Sequence, residues 1–282
     1  MRPVSSTAAL ALALSLALST TAARAQTSPR SVPEYTRRPL TLGPGQLVGR
    51  IGIGLAGSTA SSASASPTSA FGVGIHLDMQ VGLWRSLELT GGVGFRLPDD
   101  GERLAADRYA RVDREDVFQV GTRFIGNPYL RLRYGIMEPS ERVAHVGVEL
   151  TAVLPVASQT VWSIGLGVPV LLTVPAARMR IETGLFWQFM LSSAAQVRHV
   201  VNIPVRVMFQ LGGSVAAGVV TGLYAANVGA SDVSDPRVPF GLQAAFRLSP
   251  STDVLFQWLY PTMSPFGTDA GGIGLTVAGR LR

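Results

Sequence analysis

Residues 71–83 read FGVGIHLDMQVGL. The odd positions, Phe71, Val73, Ile75, Leu77, Met79, Val81 and Leu83, are all apolar, and the even positions, Gly72, Gly74, His76, Asp78, Gln80 and Gly82, are all small or polar. Successive side chains of a strand point to opposite faces, so this stretch predicts a strand with one apolar and one polar face. At about 3.3 Å per residue it reaches on the order of 40 Å. A tilted strand needs only about 9–11 residues to cross a bilayer. The same alternation returns in nearly every segment that follows, which makes this strand the repeating unit of the chain.

Composition agrees with that reading. Of 282 residues, 47% are hydrophobic but only 15% are charged, beside 31 glycines. A soluble domain usually carries about 25% charged residues. Low charge without long apolar runs is the composition of a transmembrane barrel, in which half of each strand faces lipid and none is continuously apolar. At the N-terminus, Arg2, the apolar run Ala8–Leu18 and Ala23-Arg24-Ala25 have the order of a secretory signal, with cleavage expected after Ala25. That run is shorter than the ~20 residues of a spanning helix. Every basic residue is arginine, and there is no cysteine. An exported chain without cysteine cannot use disulfides, so its stability must come from closure and burial.

Residues 26–45 hold Pro29, Pro33, Pro39 and Pro44 among Arg30, Arg37 and Arg38 without any period, and predict a flexible lead-in. From residue 46 to 282 twelve strands are expected: Gln46–Gly57, Phe71–Leu83, Leu87–Leu97, Phe118–Ile136, Val143–Leu154, Val161–Val174, Arg178–Leu191, Val197–Leu211, Ser214–Ala225, Val238–Leu248, Asp253–Tyr260 and Gly272–Leu281. The fourth is broken by Gly126-Asn127-Pro128 and could be a hairpin. Parity is kept across the break and one strand makes the total even, so it is read as one strand with a bulge. Pro169 lacks a ladder donor inside the sixth.

The connections test the reading independently. Links after even-numbered strands are all short, such as Trp84–Ser86 and Gly212-Gly213, whereas four links after odd-numbered strands are long. Outer-membrane barrels have short turns at one end, long loops at the other and an even strand number. Trp162, Trp187, Phe189, Tyr224, Phe240, Trp258 and Tyr260 fall near the long-loop ends, and Trp84, Phe209 and Phe246 near the short turns, as two interfacial belts. The expected fold is all-β, a closed antiparallel up-and-down transmembrane β-barrel of about twelve strands.

Signal, alternation and lack of cysteine together resemble the bacterial outer-membrane β-barrel class over Gln46 to Arg282. Gly126-Asn127-Pro128-Tyr129-Leu130-Arg131-Leu132-Arg133-Tyr134 is similar to the G-D/N-x-x-L-x-L-x-Y stretch of small transporter-like barrels, including the family named for a phenol-degradation meta pathway. The resemblance implies a porin- or transporter-like protein of the Gram-negative envelope, with outer-membrane lipid and the barrel-assembly machinery as partners. Such barrels usually end in an aromatic residue, and this chain ends Gly279-Arg280-Leu281-Arg282.

Strand parity places Arg50, Arg96, Arg123, Arg131, Arg133, Arg180, Arg198, Arg206, Arg247 and Arg280 on inward faces, with Asp78, Glu88, Glu149 and Glu182 as inward acids. An arginine-lined lumen concentrates anions and favours their passage. The same residues could instead pair into ladders that plug a narrow barrel, since eight strands are just filled and sixteen leave an aqueous channel. The leading expectation is a passive channel or small-solute transporter favouring anions. An interaction barrel with a plugged lumen and the charged loop Pro98–Glu115 facing partners is the alternative. A hydrolase using His76/Asp78 or His145/Glu149 is the third reading, without a G-x-S-x-G motif to support it. No metal-ligand spacing or P-loop occurs, and the G-x-G repeats lie inside strands with no following helix, so no cofactor is expected. The arginines are scattered rather than clustered with stacking aromatics, which argues against nucleic acid.

Overall fold

The computed structural model describes residues 33–60, 68–97, 125–126, 128–136, 144–154, 162–191, 198–226, 236–260 and 270–281. Twelve strands run in chain order: β1 Leu47–Ala60, β2 Thr68–Trp84, β3 Leu87–Leu97, β4 Tyr129–Gly135, β5 Ala144–Val153, β6 Ser163–Val174, β7 Met179–Met190, β8 His199–Gln210, β9 Val215–Ala226, β10 Phe240–Ser249, β11 Thr252–Tyr260 and β12 Ala270–Leu281. Each pairs antiparallel with its sequence neighbours, and β1 pairs with β12 from Leu47↔Leu281 to Ser58↔Ala270, closing the barrel. Closure gives each of the twelve strands a partner on both sides, which removes the open sheet edge that lipid does not tolerate.

Burial is inverted relative to a water-soluble domain. His76, Asp78, Gln80, Glu88, Arg96, Arg131, Glu149 and Arg206 are buried, while Ile51, Ile53, Phe71, Met79, Leu132, Leu166, Leu185 and Leu275 are exposed. The parity of residues 71–83 is the parity observed: apolar odd positions lie on the outer wall and His76, Asp78 and Gln80 face the lumen. A contiguous apolar outer surface of this extent is incompatible with water and suits a hydrocarbon solvent.

Elements depart from the sequence reading in four places. β4 begins at Tyr129, and Ile125, also within the strand expected over Phe118–Ile136, makes an isolated bridge to Phe95, with Asn127 between them outside the described residues. Residues 118–124 of that stretch, and the long links centred on 61–67, 98–124, 227–235 and 261–269, lie outside the described residues. Tyr224, placed in the outer belt by sequence, points into the lumen and is 8% exposed. Its neighbour Leu223 takes the outer face at 41%. Pro169 is accommodated because the β5–β6 ladder skips between Val146↔Val170 and Glu149↔Gly167, and Pro169 faces Gly184 on the other side. The largest departure is at the N-terminal segment. Within the stretch expected to be a flexible lead-in, residues 33–45 carry a 3-10 turn at Tyr35–Arg37 and lie across the barrel mouth at the short-turn end, with Thr36 only 1% exposed.

Candidate functional site

The polar faces of the strands converge on the lumen, and most inward arginines end on a carboxylate. From β1, Arg50 donates to Gln80 Oε1 at 3.0 Å and lies 3.6 Å from Asp78. From β4, Arg133 donates through Nε and Nη2 to Glu149 Oε2 at 3.0 and 2.8 Å. Glu182 of β7 accepts from Arg180 of its own strand and from Arg206 of β8, the latter at 2.6 Å. Arg96 and Arg131 are both 2% exposed and sit deep in the wall. Glu88 is buried beside Thr90, whose hydroxyl donates to it at 3.3 Å. Arg247 faces the lumen at the short-turn end of β10. Two predicted members fall elsewhere. Arg198 precedes β8 and is exposed, so it belongs to the rim, and Arg123 lies outside the described residues.

Asp253 is a lumen acid that sequence reasoning missed. It is the second residue of β11, on the face shared by Leu255, Gln257 and Leu259, where two leucines among the inward positions blur the alternation. It accepts from Arg280 of β12 and from Arg38, which lies outside the strands altogether.

Arg38 belongs to the segment 33–45, a strap that turns back into β1 through Gly43-Pro44-Gly45. Gly45 adopts φ +74°, a conformation that favours glycine, and its N–H donates to Gly82 O at 2.9 Å. The strap is held on opposite sides by different chemistry. Towards β3, β4 and β7, Glu88 accepts from the Leu42 N–H at 3.0 Å, Arg133 Nη1 donates to Leu40 O at 3.2 Å, and Arg180 donates to Arg38 O. Arg247 donates to Pro33 O, and Gln210 Oε1 accepts the Thr36 N–H at 3.3 Å. Glu34 pairs with Arg178, in the turn between β6 and β7, at 2.8 Å. Towards β8–β12 and β1, Tyr35 and Leu42 pack on a buried apolar patch of Val48, Met208, Ala216, Ala245, Leu255 and Ala278. Arg38 bonds Asp253 at 2.9 Å and covers the Tyr35 ring at 5.0 Å. Burial, and then the charge of Arg280, lower the Arg38 pKa from its ordinary value, and the bond to Asp253 opposes them.

Between strap and wall lies a cavity of about 560 Å³. Leu40, Phe186 and Pro204 give it apolar walls, and Arg50, Arg180 and Arg206 supply cationic groups. The two members of the His76 pair are not in tight contact. His76 Nε2 is 3.7 Å from Asp78 Oδ2, beyond hydrogen-bond reach, and the imidazole stacks on Tyr129 with ring centroids 6.1 Å apart. His145 and Glu149 share the inner face of β5, where Glu149 is taken up by Arg133.

No family model matches the sequence, and no curated protein does. Solved structures do match in fold. The COG4313 outer membrane channel from Pseudomonas putida F1 is similar over 86% of this chain and 99% of that chain, with TM-score 0.61 and 10% identity. The NanC porin is similar over 80% of this chain and 98% of its own, with TM-score 0.52 and 8% identity. The fold is therefore that of bacterial outer-membrane β-barrels.

Proposed function

We propose that this chain is a passive channel of the bacterial outer membrane for small polar solutes, with a preference for anions, reached after export directed by residues 1–25. The observation that carries this is the inverted wall: an apolar exterior around a lumen whose inward charges are mainly guanidinium. Arg50, Arg96, Arg131, Arg133, Arg180, Arg206, Arg247 and Arg280 face Asp78, Glu88, Glu149, Glu182 and Asp253. Pairing neutralises part of that charge, and the surplus is positive. In a narrow low-dielectric passage a fixed positive surplus raises the local anion concentration. The two barrels of similar fold, a channel and a porin by name, are consistent with it.

The test is reconstitution in planar bilayers under a salt gradient. Discrete conductance steps with a reversal potential on the anion side are expected. A reversal potential on the cation side removes the anion preference. Absence of conductance in the native protein and in variants with the strap displaced removes the channel.

A further inference from the structure

We infer that residues 33–45 are a displaceable plug, seated in a groove built for them and closing the short-turn end of the lumen until released. This rests on the channel reading and adds its regulation.

The seat is visible in the wall itself. Three inward glycines on β2, β4 and β5 lie under consecutive parts of the strap. A Cβ at Gly82 would overlap the Gly43 carbonyl and stand 2.9 Å from Leu42 O. A Cβ at Gly135 would meet Ser86 Cβ at 3.3 Å and Thr41 Oγ1 at 3.5 Å, so strap and turn both border it, and one at Gly147 would stand 3.2 Å from Leu40 Cδ2. The nearest atoms met at Gly82 are all strap backbone, so the missing side chain there makes room for the strap and for nothing in the sheet. Gly147 also crowds Tyr134 O, at 2.8 Å, so its smallness serves the ladder as well.

The fastening fits a part that comes away whole. Guanidinium groups of Arg133, Arg180 and Arg247 grip strap carbonyls, and in return a strap guanidinium, Arg38, reaches the wall carboxylate Asp253. Arg133 and Arg180 each keep a wall carboxylate when the strap leaves, Glu149 and Glu182. Asp253 keeps Arg280. Lifting the strap therefore leaves the ion pairs within the wall intact, and what it gives up is the apolar contact at Tyr35 and Leu42, the ion pairs Arg38–Asp253 and Glu34–Arg178, and hydrogen bonds that water can replace. The strap is also tethered to β1 through Gly43-Pro44-Gly45, so a released plug stays at high local concentration over its seat.

The experiment compares conductances of full-length proteins in planar bilayers. Gly82→Ala forces the strap backbone off its seat, and Asp253→Asn removes one of its latches. Both are expected to raise conductance roughly threefold or more over wild type, the scale for clearing a lumen only somewhat wider than the eight-strand barrels that side chains alone fill. A third protein adds Thr41→Cys and Gly135→Cys to Asp253→Asn. The native chain has no cysteine, and a Cβ at Gly135 would stand 3.5 Å from Thr41 Oγ1, the place the sulfur of Thr41→Cys would take. Oxidation is expected to return its conductance to the wild-type level, and reduction to restore the increase. Release variants that conduct like wild type, or an oxidised lock that conducts like the reduced one, overturn the plug and leave the channel standing. Should Gly82→Ala fail to assemble, the redox pair decides alone. Silence in every protein overturns the channel and the plug together.

Discussion

Asp253→Asn is the substitution whose size the structure allows to be worked. The carboxylate side chain is 3% exposed and its partners Arg38 and Arg280 are 14% and 18% exposed, so solvent screens the cluster only weakly. An amide keeps the shape but takes away the charge. Arg38 loses a charge-assisted hydrogen bond worth about 1.5–3 kcal/mol, and the two guanidiniums are left together without their shared counter-ion. The strap retains its bonds to Arg133, Arg180, Arg247, Gln210 and Glu88, so the loss is one latch among several. Taking about 2 kcal/mol, the ratio of released to seated strap rises about 30-fold, at 1.36 kcal/mol per tenfold. The assay is the rate at which a charged thiol reagent modifies Thr41→Cys, since Thr41 is 8% exposed when seated. With fast reseating, that rate follows the released fraction, and the same 30-fold rise is expected. A double-mutant cycle with Arg38→Gln separates latch from wall. If the substitutions are coupled, Arg38→Gln absorbs most of the effect. A rise under threefold, or two effects that simply add, would refute the reasoning, because it would place the role of Asp253 in holding β11 to β12.

Three further outcomes are expected. Leu77→Arg, near the middle of β2 on the outer face, should lower unfolding free energy in vesicles by about 2–4 kcal/mol, whereas Leu248→Arg at the end of β10 should cost about 0–1, the depth dependence of a lipid-facing charge. Urea titration of both variants checks this, and equal costs would place the bilayer elsewhere. Arg206→Gln leaves Glu182 with Arg180 as its remaining cationic partner among those described above, and should lower the anion-to-cation permeability ratio roughly twofold, measured as a shift in reversal potential. Arg133→Gln breaks a contact to both Glu149 and Leu40 O, so it should speed Thr41→Cys modification and destabilise the barrel, the two effects separable by denaturation in parallel.

Alternation made the barrel readable. Each strand had to put oil on one side and water on the other, so the positions of His76, Asp78, Glu88, Arg131, Arg133, Glu149 and Arg206 follow from parity alone. Parity is silent where a strand carries apolar residues on both faces. Along β9 to β12 the inner wall mixes Ala216, Val220, Ala245, Leu255, Leu259 and Ala278 with Gln243, Gln257 and Thr276, so the inward faces are not marked by an unbroken polar run, and Asp253 and Tyr224 were harder to place. The strap escaped for a different reason. Pro33, Pro39 and Pro44 break any period, and a segment whose carbonyls are satisfied by side chains of distant strands carries no local pattern to announce it.

The glycines held the missing signal. In a strand, glycine reads as a bend or a weak spot, and Gly82 was open to that reading. Its inward parity could be assigned, but not the object that required its lack of a side chain. That object lies within forty residues upstream, in a stretch with no secondary-structure signature. The two faces of the lumen complete the argument. Charged strands β3, β4 and β7 present donors and acceptors to the strap backbone, and the apolar patch on β8–β12 and β1 receives Tyr35 and Leu42. An aperiodic, proline-rich peptide has free carbonyls along one edge and a few apolar side chains along the other, which is the complement of that lumen. An inner wall built to pass small hydrated anions would have no need of an apolar patch at its short-turn end, and a seat for the strap supplies one.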